Sequence, residues 1–310
     1  MILTVTPNPM LDKTLYVPKL TPGVTHRAQR AITLGSGKGI NVARALWQLG
    51  EETLATGFLG GHTGQQVRKL LADEKLPNDF IDINAPTRIG FTVFDEASSH
   101  YTAVFEPGPE LLAEEVECLL EKIEFLLPRC QALALCGSMP GASFADLYFR
   151  LIRNARQKNV PVFLDSYQEP LRLGLAAQPN FLKPNPDEAL QTFGIDSREP
   201  GGMKAVLQKL AQTGAQWILL TDGERPVGIY AEGQYFLAAP PRINLVNGLG
   251  SGDAMVGAFL YGWLRKMAPT DLIRFAIAAG AVNAEAFMPG FADLSRIQNL
   301  AKNVTTITQF

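Results

Sequence analysis

The segment Asn247-Gly248-Leu249-Gly250-Ser251-Gly252-Asp253 leads into an apolar stretch with Met255, Val256, Phe259, Leu260 and Trp263 at helical spacing. Glycines ahead of a helix let the backbone approach an anion closely, and the first helical N–H groups point at it. Asp253 then stands where a phosphate would be held. A carboxylate there repels that phosphate unless it has a task. The fitting task is to take a proton from a hydroxyl that attacks phosphorus. Glycines that merely cap a helix, with Asp253 as N-terminal charge, would need no function at all, so this loop alone is weak evidence. A dinucleotide fingerprint fits it poorly, because two helices, around 252–266 and 269–287, follow with no strand between them.

Three further constellations could share in the same chemistry. Gly35-Ser36-Gly37-Lys38-Gly39-Ile40-Asn41-Val42-Ala43-Arg44 looks at first like a Walker A loop, but Gly39 follows the lysine where Ser or Thr would bind magnesium. Glycines, Lys38 and Asn41 entering a helix suit instead an anionic ligand that carries hydroxyls, although most loop lysines are simply solvated. In Thr6-Pro7-Asn8-Pro9-Met10-Leu11-Asp12, Asp12 could accept hydrogen bonds from vicinal sugar hydroxyls, while a turn-forming aspartate is the commoner case. Lys183-Pro184-Asn185-Pro186-Asp187-Glu188 closes a strand and opens a helix. There Asn185 and Glu188 could hold magnesium-bound water beside a triphosphate, and a helix cap with an acidic first turn explains them equally well.

Taken in this order, the motifs resemble the PfkB/ribokinase family of carbohydrate kinases over nearly the whole chain. The N-P-x-x-D start, the G-K-G-I-N-V-A-R loop, a G-S-x-P-G turn at Gly137–Gly141, K-P-N-x-x-E and the terminal G-x-G-D are all in register. The resemblance implies a ribokinase-like α/β fold, a doubly wound and mainly parallel sheet flanked by helices, with a small β-sheet lid. It implies ATP and Mg²⁺ as cofactors. Asp253 becomes the catalytic base, and Gly250, Ser251 and Gly252 supply N–H groups to the charge on the transferred phosphoryl. Asp12, Gly37, Lys38 and Asn41 become sugar-binding positions, and Arg88 resembles the arginine that grips a phosphate already on the substrate. Asn185 and Glu188 match the magnesium and triphosphate pair, acting through water. Thr221 and Gly223 match nucleotide-phosphate positions, and Asn283 lies beside the adenine.

Two departures from the family pattern stand out: Asn247-Gly248 replaces the usual Asp/Asn-Thr, and Ser251 replaces alanine. Serine there is similar to the tagatose-6-phosphate kinase group, and Gly248 removes a side chain from the loop. Lys38 and Arg88 together favour an acceptor that already carries a phosphate. The Gly-Lys-Gly-Ile-Asn string looks most like 1-phosphofructokinase, ahead of tagatose-6-phosphate kinase and the minor 6-phosphofructokinase branch. A non-catalytic sugar-phosphate-binding regulator is the alternative of another class, and the persistence of Asp253, Asn185 and Glu188 weighs against it.

The elements that must position these residues are legible in outline. Ala132–Cys136, Val160–Leu164 and Trp217–Leu220 are apolar runs separated by helical stripes such as Val116, Leu119, Leu120, Ile123 and Leu126. That alternation describes a parallel sheet buried on both faces. Ligands of such sheets lie at the carboxyl ends of the strands, which directs attention to Gly137, Asp165, Lys183-Pro184-Asn185 and Thr221-Asp222-Gly223. Segments 8–35 and 87–106 lack a helical period and read as a lid sheet, with a hairpin from Phe91 to Phe105. Residues 1–310 are expected to form a single kinase domain carrying this lid, and a lid-to-lid homodimer would cover its second face.

A chain of 310 residues, 46% hydrophobic with a net charge of -2, can build a sizeable core and has no electrostatic footprint for nucleic acid. Its start lacks the basic, long apolar pattern of a signal peptide, and no run reaches the ~20 apolar residues of a membrane span. The expected setting is cytoplasmic. Cys118, Cys130 and Cys136 show no metal-binding spacing, and His26, His62 and His100 are scattered, so no structural metal is expected.

Overall fold

Isoleucine, leucine and valine crowd the short runs Ile2–Thr6, Ala132–Cys136 and Trp217–Leu220, and every residue in them is buried. In the computed structural model, which describes residues 1–98 and 100–308, these runs are central strands of the larger of two sheets. The strands in chain order are β1 (Ile2–Thr6), β2 (Met10–Val17), β3 (Arg30–Ser36), β4 (Thr53–Gly60), β5 (Ile81–Ile83), β6 (Arg88–Asp95), β7 (His100–Phe105), β8 (Ala132–Cys136), β9 (Val162–Asp165), β10 (Phe181–Leu182), β11 (Trp217–Leu220), β12 (Val227–Ala231), β13 (Gln234–Ala239) and β14 (Thr305–Thr308). The helices are α1 (Lys38–Gln48), α2 (Gly61–Asp73), α3 (Ala113–Leu126), α4 (Leu147–Gln157), α5 (Gln168–Ala176), α6 (Pro186–Phe193), α7 (Gly202–Ala211), α8 (Ser251–Leu264), α9 (Pro269–Ala284) and α10 (Leu294–Ala301).

Among the described residues the large sheet runs β14-β13-β12-β11-β10-β9-β8-β1-β4-β5. Its strands from β11 to β5 are parallel, and β12, β13 and β14 extend it antiparallel. Side chains alternate across it, as the pleat requires. Ala132, Ala134 and Cys136 face a core shared with α1, α8, α9 and α10. Leu133 and Leu135 face the opposite core, with α3, α4 and α7. On the first face Phe259 of α8 fits edge-on among Phe163, Phe181 and Trp217, at ring separations of 5.6, 5.3 and 5.4 Å. No helix among the described residues is long and apolar enough to cross a membrane.

The small sheet has the order β3-β2-β6-β7. The hairpin expected between Phe91 and Phe105 is β6 and β7, and β6 pairs in parallel with β2. In that register Met10 stands opposite Arg88 and Asp12 opposite Gly90. The sheet docks on the large domain through aromatic side chains: Tyr16 lies 6.2 Å from Phe287, and the Tyr101 hydroxyl donates to the Val246 carbonyl at 2.7 Å.

Helices α1 and α8 meet at small residues. A Cβ added at Gly257 would lie 2.9 Å from the Ala45 Cβ, so only glycine permits this approach. Gly257 is one turn beyond Asp253 and Ala45 one turn beyond Asn41, so the close contact brings those two polar residues together.

The aromatic cluster anchors α8 to the sheet. Phe259→Ala is expected to lower the free energy of unfolding by about 3–5 kcal/mol, which a shift in the urea midpoint at constant slope would show.

Candidate active site

The carboxyl ends of β1, β8, β9, β10 and β11 converge with the N-termini of α1, α6 and α8. Gly250 caps α8 with φ of 78°, a left-handed conformation suited to glycine. It also lacks room for a side chain, since an added Cβ would lie 2.6 Å from the Pro289 Cβ. The first-turn N–H groups of α8 have no intrahelical acceptor, and Ser251 N reaches only the Gly248 carbonyl at 3.3 Å. Asn247 ties this loop down: its side chain accepts from Leu249 N at 2.8 Å and donates to the Phe287 carbonyl at 2.8 Å. That brace makes the missing side chain at Gly248 tolerable, and a Cβ there would meet nothing within 4 Å.

Asp253 lies in the first turn of α8 and is 6% exposed. Asn41 Nδ2 donates to its Oδ2 at 2.8 Å. Burial, followed by repulsion from Asp165, raises the Asp253 carboxyl from 3.8 to about 6. Lys38, the Asn41 hydrogen bond and Lys183 pull it the other way.

An ion cluster lies beside this carboxylate. Lys38 Nζ donates to Asp165 Oδ1 at 2.7 Å and to Glu188 Oε1 at 2.6 Å. Lys183, 4% exposed, places Nζ 3.1 Å from Asp165 Oδ2, near enough for attraction though not aligned as a hydrogen bond. Burial works against the charge on both lysines, yet Asp165 and Glu188 outweigh it and hold both above the usual lysine range. Burial likewise opposes ionisation of Asp165, and the two lysines more than compensate, keeping it below the usual carboxylate range. Lys38 is therefore no isolated cation: its charge is divided between two carboxylates.

Asn185 and Glu188 form a reciprocal cap on α6. Asn185 Oδ1 accepts from Glu188 N at 2.8 Å, and Glu188 Oε2 accepts from Asn185 N at 2.9 Å. Both are oxygen donors of the kind magnesium takes through water, and each oxygen retains a second lone pair. Thr221 and Gly223 follow β11, joined to this segment by Thr221 N donating to the Pro184 carbonyl at 3.2 Å.

Under the lid, Asn8 Oδ1, Asp12 Oδ1 and Arg88 Nε are buried without partners, as are the Tyr16 and Thr92 hydroxyls of the same sheet. Burial raises the Asp12 carboxyl to about 6, moderated by a hydrogen bond to Ser36 and by Arg44. Arg88 Nη2 donates to the Asn8 carbonyl at 2.9 Å. The acceptors of Asn8 and Asp12 beside the donor of Arg88 suit a ligand bearing hydroxyls and an anion. Gly37 caps α1 here, with its Cα against Thr6.

Asn283 occupies another place. It is 0% exposed, donates to the Leu249 carbonyl at 2.8 Å and to Ser251 Oγ at 3.1 Å, and accepts from Phe291 N at 3.0 Å. Its amide braces the glycine loop, with both ends engaged by protein groups. The motifs gave no role to Asp165 or Lys183, although the strand-end rule pointed to both. Arg44, which donates to Asn41 Oδ1 at 2.8 Å, was also passed over. Its signal is a charge three residues after Asn41, set among the apolar residues Val42, Ala43, Ala45 and Leu46.

An acid whose pKa rises on folding destabilises the fold where it is ionised. For Asp253 this cost is absent below 3.8, grows between 3.8 and about 6, and is fully present above that. Asp253→Asn is therefore expected to be more stable than the parent by on the order of 3 kcal/mol at about pH 8, and equal to it near about pH 4. Urea unfolding of both proteins at each pH measures the difference.

Comparison with known proteins places this geometry. The family model for pfkB family carbohydrate kinases matches residues 8–292. Escherichia coli phosphofructokinase-2, solved in complex with fructose-6-phosphate, is similar with a TM-score of 0.86 and 26% identity, covering 97% of this chain and 98% of that one. A protein described as a possible 1-phosphofructokinase from Thermotoga maritima has a TM-score of 0.91 at 23% identity over 100% of both chains. Arabidopsis thaliana ribokinase, complexed with ribose and ATP, has a TM-score of 0.74 at 19% identity, covering 97% and 98%. The sheet, the lid and the family match across residues 8–292 agree: the chain belongs to the pfkB family of carbohydrate kinases.

Proposed function

We propose that the protein transfers the γ-phosphoryl group of ATP to a hydroxyl of a phosphorylated ketohexose, with fructose 1-phosphate as acceptor and fructose 1,6-bisphosphate as product. The observation that carries the transfer is the buried Asp253 carboxylate at the N-terminus of α8, held by Asn41 behind a glycine loop. Asn41 occupies Oδ2, which leaves Oδ1 for the acceptor's proton. The freed oxygen bonds to the γ-phosphorus, the bond between that phosphorus and the bridging oxygen breaks, and ADP leaves. N–H groups in the first turn of α8 face the charge that builds on the phosphoryl oxygens. Magnesium held through water at Asn185 and Glu188 would neutralise charge on the triphosphate.

The acceptor assignment draws on the lid. Arg88, Asp12 and Asn8 offer the unpartnered atoms there, so phosphate recognition rests chiefly on Arg88, since Lys38 is engaged by Asp165 and Glu188. The Gly-Lys-Gly-Ile-Asn string and the Asn-Pro-x-x-Asp start support fructose 1-phosphate. A 6-phosphate acceptor is favoured by one observation, the 26% identity to the Escherichia coli enzyme solved with fructose-6-phosphate. Release of ADP from Mg-ATP with fructose 1-phosphate, fructose 6-phosphate, tagatose 6-phosphate and fructose in parallel separates these cases. Fastest release with fructose 1-phosphate is the expected result, and preference for a 6-phosphate would reject the assignment.

The lid leaves Phe91, Val104 and Phe105 exposed, and we place a second copy of the chain there, lid against lid. A clean monomer on size exclusion at working concentration would count against that pairing.

Two substitutions test the roles. Asp253→Asn is expected to lower kcat by about 100- to 10,000-fold while sugar and ATP still bind, and near-normal turnover would remove Asp253 from the mechanism. Arg88→Lys keeps the charge and loses the planar fork. It is expected to raise KM for the sugar phosphate about tenfold and to leave KM for ATP unchanged.

A further inference from the structure

Arg44 is a charge in the core, 2% exposed, with all its donor nitrogens engaged. Nε donates to Glu74 Oε2 at 2.6 Å, and Nη2 donates to Glu74 Oε1 at 3.2 Å and to the Gly35 carbonyl at 2.8 Å. Nη1 donates to Asn41 Oδ1 at 2.8 Å and to the Pro289 carbonyl at 3.1 Å. Glu74 alone would suffice to neutralise it. The two contacts made by Nη1 need another reason, and both lead to the base.

A guanidinium has donors only, so the Asn41 atom it meets must be the amide oxygen. That orientation turns Nδ2 to Asp253 Oδ2 at 2.8 Å. The opposite flip would set an amide N–H₂ against the guanidinium and an oxygen against the carboxylate, losing two charge-assisted hydrogen bonds at once. The Pro289 contact acts on the other side of the same centre. A Cβ at Gly290 would lie 2.5 Å from the Asn41 carbonyl oxygen, and one at Gly250 would lie 2.8 Å from Gly290 N. The Pro289–Gly290 turn is thus wedged between α1 and the glycine loop, and Arg44 holds its carbonyl.

We infer that Arg44 is the positioning residue of the base: it sets the Asn41 amide so that its nitrogen meets Asp253, and it pins the Pro289–Gly290 turn that spaces α1 from the anion-binding loop. This rests on Asp253 as the base of the proposed transfer, and its mark is the ionisation of Asp253, which can be read without turnover. The charged groups facing Asp253 are Asp165 from β9, Lys183 following β10 and Lys38 from α1. The hydrogen bonds of Arg44 reach none of them. Arg44 also acts on Asp12 by its charge alone, so a shift at Asp253 must be shown to pass through Asn41.

The experiment is a carbon-13 NMR titration of side-chain carboxyls in the full-length protein, with the Asp253 signal assigned by its loss in Asp253→Asn. Arg44→Met is expected to raise the Asp253 midpoint by about one pH unit, the effect of losing one charge-assisted hydrogen bond. Glu74→Gln, which removes the ion pair and keeps the Asn41 contact, should leave the midpoint in place. If Arg44→Met does not fold, Arg44→Lys serves, and a smaller shift in the same direction is expected. In an Asn41→Leu background either substitution should add nothing further. An unmoved midpoint, or an equal shift in the Asn41→Leu background, would overturn the inference. A midpoint shift in a protein that phosphorylates no sugar would support the positioning role while rejecting the transfer reaction itself.

Discussion

Asp253 is almost without water, and much of the cleft bears on whether its carboxyl can be ionised near neutral pH. A carboxylate buried alone would stay protonated and could accept nothing. Opposing that outcome are one amide hydrogen bond from Asn41 and two lysines that are themselves restrained by Asp165 and Glu188. The balance leaves the carboxyl near 6, basic enough to attract a hydroxyl proton and ionised at neutral pH. The hydrogen bond depends in turn on packing. Gly257 against Ala45 sets the separation of α8 and α1, and the Phe259 cluster fixes α8 to the sheet.

The site divides between the two sheets. Asp253, the ion cluster and the α6 cap all stand on the large sheet and its helices, where burial is deep on both faces. Asp12 and Arg88 stand instead on the four-stranded sheet, which meets the large domain through Leu11 in a buried cluster with α1 and α2, the Tyr16–Phe287 contact and the Tyr101 hydrogen bond. The reaction proposed above would thus draw its base from the large domain and its acceptor contacts from the small sheet.

The order of apolar runs and helical stripes from Val116 onward foretold the buried parallel sheet, since fully covered strands leave a strong compositional trace. The helix after the glycine loop begins at Ser251, one residue from the expected start, and ends at Leu264 where Arg265 and Lys266 break the apolar stripe. Strand β14 went unforeseen because Thr305–Thr308 is four residues long and its pairing with β13 is non-local. Motif spacing brought Asp253, Asn41, Lys38 and Glu188 to one place but did not reveal that Lys38 is shared by two carboxylates. Such sharing depends on the approach of α1, β9 and α6 in space. Asn283 illustrates the same limit, because only the path of residues 247–251 shows that its amide is spent on the loop.

The register of the small sheet sets a length scale. Arg88 lies opposite Met10, and Asp12 is two residues farther along the same strand and on the same side of the pleat. Their separation along β2 is therefore fixed at roughly 7 Å by the rise of the strand, and the Arg88 guanidinium leans away from Asp12, toward the Asn8 carbonyl. The small sheet thus presents the two side chains at a set interval, like marks on a ruler. Any ligand engaging Asp12 and Arg88 together would have to bridge that interval.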